Sequence, residues 1–286
     1  MIKLTKFRFR AESQTDPGYG EKSFSDIPIV RELRKWHRNA SQRQKGAPRS
    51  STEEQKWISW PEYLQVVQTL KYDLVDLLHN HQPDTLGHVT GRKIAVLFQR
   101  YLILAIFARV PDRQRTIREL QLGQTLVRSA DGQWCIRHSP QDYKTGKTYG
   151  ERPPLDLGAA LTPWIDEFLS KWRKFLIKEE SNDSHDYLFC QVRTGNPLTS
   201  NSVYQIVSRA CFAATGKRTN PHLLRDMIVT HVRESSNASE QQLEALALFM
   251  GHSLAVQRSS YDRRTLTKKV APAVKLLESV NAELTI

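Results

Sequence analysis

Four polar side chains follow one another in the last quarter of the sequence: His222, Arg225, His252 and Tyr261. The first two lie in TNPHLLRDMIVTHV (219–232), the others in ALFMGHSLAVQRSSYDRRT (247–265). Residues three apart on a helix are rotated by about 300°, so His222 and Arg225 project together. His231 stands about 180° from His222 on the same helix and is expected to pack rather than react. A free tyrosine ionises near pH 10, so only about one phenol in a thousand is a phenolate at neutral pH. A tyrosine nucleophile therefore needs a base or nearby cations. A phosphodiester under attack gains negative charge, which arginine forks meet at its non-bridging oxygens. Such a set suits opening a phosphodiester without metal or nucleotide. It calls for a second arginine. FARVPDRQRTIRELQLG (107–123) offers Arg109, Arg113, Arg115 and Arg118, and spacing alone does not choose among them. Arg113 follows the helix break at Pro111-Asp112, where a side chain can be presented at a helix start.

Elements must hold these groups in place. Ser59, Pro61 and Glu62 form a Ser-x-x-Glu helix start with proline in the first turn. Apolar residues from Tyr63 to Leu78 then recur at helical spacing. Residues 92–109 predict a second, more buried helix, and a shorter one is expected through Thr116–Leu120. The period changes in LQLGQTLVRSADGQWCIRHS (120–139), where Ala-Asp-Gly separates two strand-like runs. ERPPLDL (151–157) offers a third strand. Helices return over 160–179, around 200–214, and over 222–234, 239–250 and 268–283. The fold class is α+β: a mainly helical catalytic domain carrying a small antiparallel sheet.

The chain has 286 residues, 39% of them apolar, which is enough for a real core in one large domain or two modest ones. The net charge is +12 and points to a polyanionic partner, nucleic acid above all. Residues 1–50 hold 12 Lys/Arg against 5 Asp/Glu. More than half of the excess charge therefore sits in the first sixth of the chain. Residues 1–56 read as a basic, weakly structured segment and linker, with one short amphipathic helix over 27–37. Residues 57–286 form the second domain. Three cysteines without metal-ligand spacing fit a reducing compartment. MIKLTKFRFR lacks the apolar stretch of a secretory signal. Gln99 and Arg100 interrupt the most apolar run (94–110), so a core helix is expected there rather than a membrane span.

Together these residues resemble the tyrosine recombinases, or phage integrases, over roughly 60–286. The family's second arginine box is similar to TNPHLLRDMIVTH, which puts its His at His222 and its Arg at Arg225; Thr230 and His231 also fit. Its Gly-His-Ser box looks like MGHS (250–253), giving His252, and the nucleophile falls on Tyr261. The first arginine box has apolar residues four and seven positions after its Arg. Arg113 satisfies this with Ile117 and Leu120, whereas Arg115 would put Glu119 at an apolar position. The family lysine, carried by the small sheet, best matches Lys144 in YKTGK (143–147), with Lys147 the alternative. Asp226 stands where many members have His, and Thr116 where an acidic residue is common.

The resemblance implies a site-specific DNA recombinase or integrase acting through a 3′-phosphotyrosine, with no metal, ATP or other cofactor. It implies double-stranded DNA as partner and a homotetramer on paired sites, with VAPAVKLLESVNAEL (270–284) available to dock on a neighbour. A cytoplasmic, nucleoid-associated location follows, with no membrane. Members usually carry a helical core-binding domain ahead of the catalytic one. Residues 1–56 are too short and polar for it, so a truncated form, a fragment or a reduced member is expected. A type IB topoisomerase and a non-catalytic DNA-binding remnant are the alternatives. Asp183, His185 and Asp186 read as a polar loop before a metal site. No phosphate-binding glycine loop or two-metal carboxylate cluster occurs.

Overall fold

The computed structural model describes all residues except 16–20, 47–51, 144–145, 178–184, 193, 236–237 and 283–286. The chain divides into two compact units, Met1–Thr52 and Glu53–Ile286. The first holds two helices, α1 (Ile2–Arg8) and α2 (Pro28–Gly46). The helix expected over 27–37 thus runs on to Gly46. Its polar continuation, NASQRQKG, is rich in good helix formers and needs no apolar face to stay helical while α2 lasts.

The second unit is built around α4 (His88–Arg109). Phe98, Leu102, Ile103 and Phe107 are wholly buried, on several sides of the helix. Gln99, one of the two residues that interrupt the apolar run, is buried as well. Its amide donates to the Cys190 carbonyl at 3.0 Å and accepts from the Cys190 N–H at 2.8 Å. The buried polar group is thereby satisfied, while Arg100 is exposed. Helix α3 (Trp60–Asn80) starts at the capping box read from the sequence. Ser59 Oγ accepts from the Glu62 N–H, and Glu62 Oε2 accepts from the Ser59 N–H at 2.6 Å. Tyr63 ties α3 to α4 by donating to the Leu104 carbonyl at 2.8 Å.

Helix α5 (Gln114–Arg118) follows the Pro111-Asp112 break. Strands β1 (Leu126–Arg128), β2 (Trp134–Ile136) and β3 (Leu155–Asp156) form one antiparallel sheet in the order β1-β2-β3. The third strand is shorter than 151–157, because Pro153 and Pro154 have no N–H for a ladder. A one-turn helix, α6 (Gly146–Tyr149), lies between β2 and β3. Helix α7 (Thr162–Glu167) continues through a π-helical turn and a tight turn to Leu176. Then come α8 (Ser200–Thr215), α9 (Pro221–Ser235) and α10 (Glu240–Phe249). Last are the short α11 (Leu254–Val256), a π-helical turn over Gln257–Tyr261, and α12 (Leu266–Ala282). The second unit is α+β, mainly helical with one small antiparallel sheet. No described helix is long and apolar enough to cross a membrane.

Candidate active site

Arg225 is the hub of the constellation. It lies on the buried face of α9, 1% exposed. One guanidinium nitrogen donates to the Pro111 carbonyl at 2.9 Å and to Asp112 Oδ1 at 3.3 Å. The other donates to the Met250 carbonyl at 2.8 Å, to His252 Nδ1 at 3.2 Å and to the Tyr261 hydroxyl at 3.4 Å. Its Nε is buried and has no partner among the described residues. A single side chain thus joins the α4–α5 break, the end of α10 and the π-turn.

Each partner arrives by a local device. Gly251 takes φ +71°, a left-handed conformation that glycine adopts without strain and that closes α10. Its N–H reaches the Leu248 carbonyl at 2.9 Å, and the His252 N–H reaches that of Ala247 at 3.0 Å. Ser253 Oγ then accepts from the Val256 N–H and starts α11. In Gly-His-Ser, glycine therefore turns the chain, histidine enters the interior and serine caps the next element. His252 stacks on Tyr261 with ring centroids 4.5 Å apart and planes 18° apart.

The tautomer of His252 follows from its neighbour. An arginine only donates, so Nδ1 accepts and Nε2 carries the hydrogen. That Nε2–H is buried without a partner among the described residues. Burial, reinforced by the Arg225 charge, pushes the His252 pKa down to about 4. The ring is neutral at pH 7 and offers a hydrogen-bond donor, not a charge.

Arg113 occupies the position before α5, with Ile117 and Leu120 wholly buried behind it. One of its terminal nitrogens is buried and unpartnered among the described residues. Arg115 instead points out and pairs with Glu119 at 2.8 Å, and Arg118 also pairs with Glu119. Arg113, His222 and Arg225 line one open cleft of about 690 Å³, together with Arg115, Tyr204 and Asn220. Asn220 Oδ1 accepts from the His222 N–H at 3.0 Å, fixing the start of α9. His222 is exposed, its ring centroid 6.2 Å from that of Tyr261. His231 is half-buried.

Lys144 lies outside the described residues. Lys147, on α6, is exposed. Two described residues flanking this stretch, Tyr143 and Arg152, lie beside the hub. Arg152 is buried, pairs with Asp112 Oδ2 at 2.6 Å, donates to the Phe249 carbonyl and lies 5.1 Å from the Tyr143 ring centre. Burial alone would raise the Asp112 carboxyl. Arg152 and Arg225, with the Arg113 N–H, outweigh that and hold it below the usual carboxylate range. Sequence reasoning missed both Asp112 and Arg152. The one available signal was an acidic residue ending the most apolar helix. Of the polar loop residues, Asp183 lies outside the described residues, while His185 contacts the Gly195 carbonyl. No His, Cys, Asp or Glu group suited to a metal occurs among the described residues.

The site therefore gathers two guanidiniums and the Arg113 N–H around one carboxylate, beside a phenol that already accepts a hydrogen bond. Unpartnered N–H groups on Arg113, Arg225 and His252 match the needs of an anionic ligand. No protein-family model matches the sequence, and no curated protein does. Among solved structures, XerA recombinase superposes with a TM-score of 0.49 at 13% identity, over 80% of this chain and 66% of that one. XerH site-specific recombinase, bound to its difH substrate in a pre-cleavage complex, gives 0.46 at 19% identity, over 76% of this chain and 50% of that one. This chain spans about two thirds of the length of the first and half that of the second.

Proposed function

We propose that this protein is a tyrosine-type site-specific recombinase or integrase, which cuts and rejoins double-stranded DNA through a covalent 3′-phosphotyrosine. One observation carries the reading: Arg225 donates to both His252 and the Tyr261 hydroxyl while N–H groups beside them have no partner among the described residues. The net charge of +12 supports a polyanionic substrate. In the reaction, the Tyr261 oxygen bonds to phosphorus and the bond from phosphorus to the 5′ oxygen breaks. His222 helps accept the tyrosine proton. A lysine, Lys144 or Lys147, protonates the departing 5′ oxygen. Arg113 and Arg225 hold the non-bridging oxygens, and His252 donates Nε2–H to one of them. One phosphodiester replaces another, so resealing needs no ATP.

The test is incubation with nicked suicide DNA in EDTA. A covalent protein–DNA adduct forms with the native chain and is lost in Tyr261→Phe. An adduct that persists in that variant overturns the assignment.

Recombination between two sites requires several copies on DNA, and we take the assembly to be a homotetramer. Val270, Val274 and Leu277 form an exposed apolar stripe along α12, which supports docking on a neighbouring copy. Sedimentation on DNA with and without residues 270–286 checks this. Unchanged assembly after truncation counts against it.

A further inference from the structure

Tyr261 is not held by its hydroxyl alone. The Thr230 hydroxyl donates to the Tyr261 carbonyl at 3.3 Å and accepts from the Arg263 N–H at 3.1 Å. Thr230 lies on α9, the helix that carries Arg225, so one side chain stitches the backbone on both sides of Asp262 to that helix. The Arg263 side chain repeats the attachment. Its Nε and a terminal nitrogen both donate to Asp226 Oδ2, at 3.1 and 3.0 Å. Asp226 is the next residue after Arg225 and is wholly buried, with its other oxygen unpartnered among the described residues. Burial raises its carboxyl, an effect the Arg263 charge opposes. Arg263 also lies 3.4 Å from Glu53, at the start of the second unit. It hydrogen-bonds the carboxylate on α9 and lies within ion-pair distance, without a hydrogen bond, of the one at Glu53.

A buried carboxylate is costly unless its partner stays in place. Asp226 therefore favours the arrangement in which Arg263 lies over it. Arg263 is two residues from the nucleophile, so this fixes the end of the π-turn. Other contacts also hold this single wide turn: Arg233 donates to Gln257 Oε1 at 3.0 Å, Arg258 donates to Glu240 at 2.6 Å and Tyr261 stacks on His252, and Arg263 adds an attachment just past its end. The electrostatic preference of a buried side chain on α9 is transmitted to the position of a phenol oxygen on the next element.

We propose that Arg263, clamped by Asp226 and Glu53, is a positioning residue that holds Tyr261 against Arg225 of the same chain. Its positioning role rests on the strand-transfer reading above; the clamp itself does not. Two measurements on the full chain separate them. The first is amide hydrogen exchange in the native chain and in Arg263→Ala, Arg263→Lys, Asp226→Asn and Glu53→Gln. Arg263→Ala is expected to speed exchange over 257–263 and leave α4 unchanged, with Arg263→Lys intermediate because it keeps the charge but loses the fork. Combining Asp226→Asn with Arg263→Ala should loosen the turn no further than Arg263→Ala alone. Unchanged exchange over 257–263 in Arg263→Ala overturns the clamp, whatever the chemistry. Arg263 is half-exposed, so its variants keep the test open should Asp226→Asn fail to fold.

The second measurement is the single-turnover rate of adduct formation on suicide DNA. At saturating DNA, Arg263→Ala is expected to lower the rate by about 10–100-fold, the scale on which small misplacements act, with DNA affinity unchanged and partial recovery in Arg263→Lys. A loosened turn with an undiminished rate removes the positioning role. A native chain that forms no adduct removes the strand-transfer reading and the positioning role with it, and exchange alone then decides the clamp.

Discussion

His252 accepts a hydrogen bond on Nδ1 from Arg225 at 3.2 Å, and this contact sets the ring's tautomer and opposes its protonation. The consequence for pH can be worked out. The His252 pKa is lowered to about 4, against an ordinary value of about 6.5. Between these limits the unfolded chain binds a proton that the native chain refuses, so native stability falls as pH drops from about 6.5 toward 4. The full difference is on the order of 3 kcal/mol for this group. His138, also lowered by burial, acts in the same direction, whereas Asp226, raised by burial, opposes it. The comparison must therefore be made against His252→Gln, which leaves both in place. Urea unfolding at pH 7.5, 5.5 and 4.5 should show the native chain losing stability relative to that variant on acidification. A pH-independent difference between them removes the inference.

Asp112 presents the reverse case, a buried charge whose partners are already in place. It is 1% exposed and faces Arg152 and Arg225. Removing one partner of such a set strands the others, which typically costs about 3–5 kcal/mol. Asp112→Asn is therefore expected to destabilise by about 3 kcal/mol and to abolish adduct formation, since Arg225 loses its anchor. Glu119→Gln breaks an exposed pair with Arg115 and a half-buried one with Arg118, both near the surface, and should cost about 1 kcal/mol or less. Equal destabilisation by the two substitutions, read by chemical denaturation, rejects this ranking.

The sequence made some parts of this site readable and hid others, for reasons of range. The capping box at Ser59 depends on residues a few positions apart, so spacing carries it, whereas the choice of Arg113 among its neighbours is legible only through the resemblance. The convergence of Arg225 with His252 and Tyr261 spans 27 and 36 positions, and is legible only through the order of motifs that carries the family resemblance. Arg152 meets Asp112 across 40 positions and the Phe249 carbonyl across 97. No local pattern signals either contact, because the same Arg-Pro-Pro would serve equally well on a solvated edge. β3 is shorter than the run 151–157 because Pro153 and Pro154 have no N–H groups to offer a ladder. The polar end of α2 has no apolar periodicity to mark it, and its helix rests on propensity instead.

The lysine can be assigned by its chemistry. A general acid matters only if the leaving oxygen needs a proton. DNA with sulfur in place of the bridging 5′ oxygen leaves as a thiolate, which does not. Lys144→Ala is expected to lower adduct formation on ordinary DNA by about 100-fold or more and to recover on the sulfur substrate, with Lys147→Ala unaffected on both. Gly146 supplies an independent check on the same segment. A Cβ there would lie 1.9 Å from the Pro140 carbonyl oxygen and 2.5 Å from its carbon, both backbone atoms that cannot swing aside. Gly146→Ala must displace the start of α6, next to both lysines in sequence, so it should reproduce the defect on ordinary DNA. It should also recover on sulfur DNA, because Arg113, Arg225 and Tyr261 stand on other elements. Recovery in Lys147→Ala alone would transfer the role to Lys147, and normal adduct formation in both lysine variants would remove a lysine acid from the mechanism.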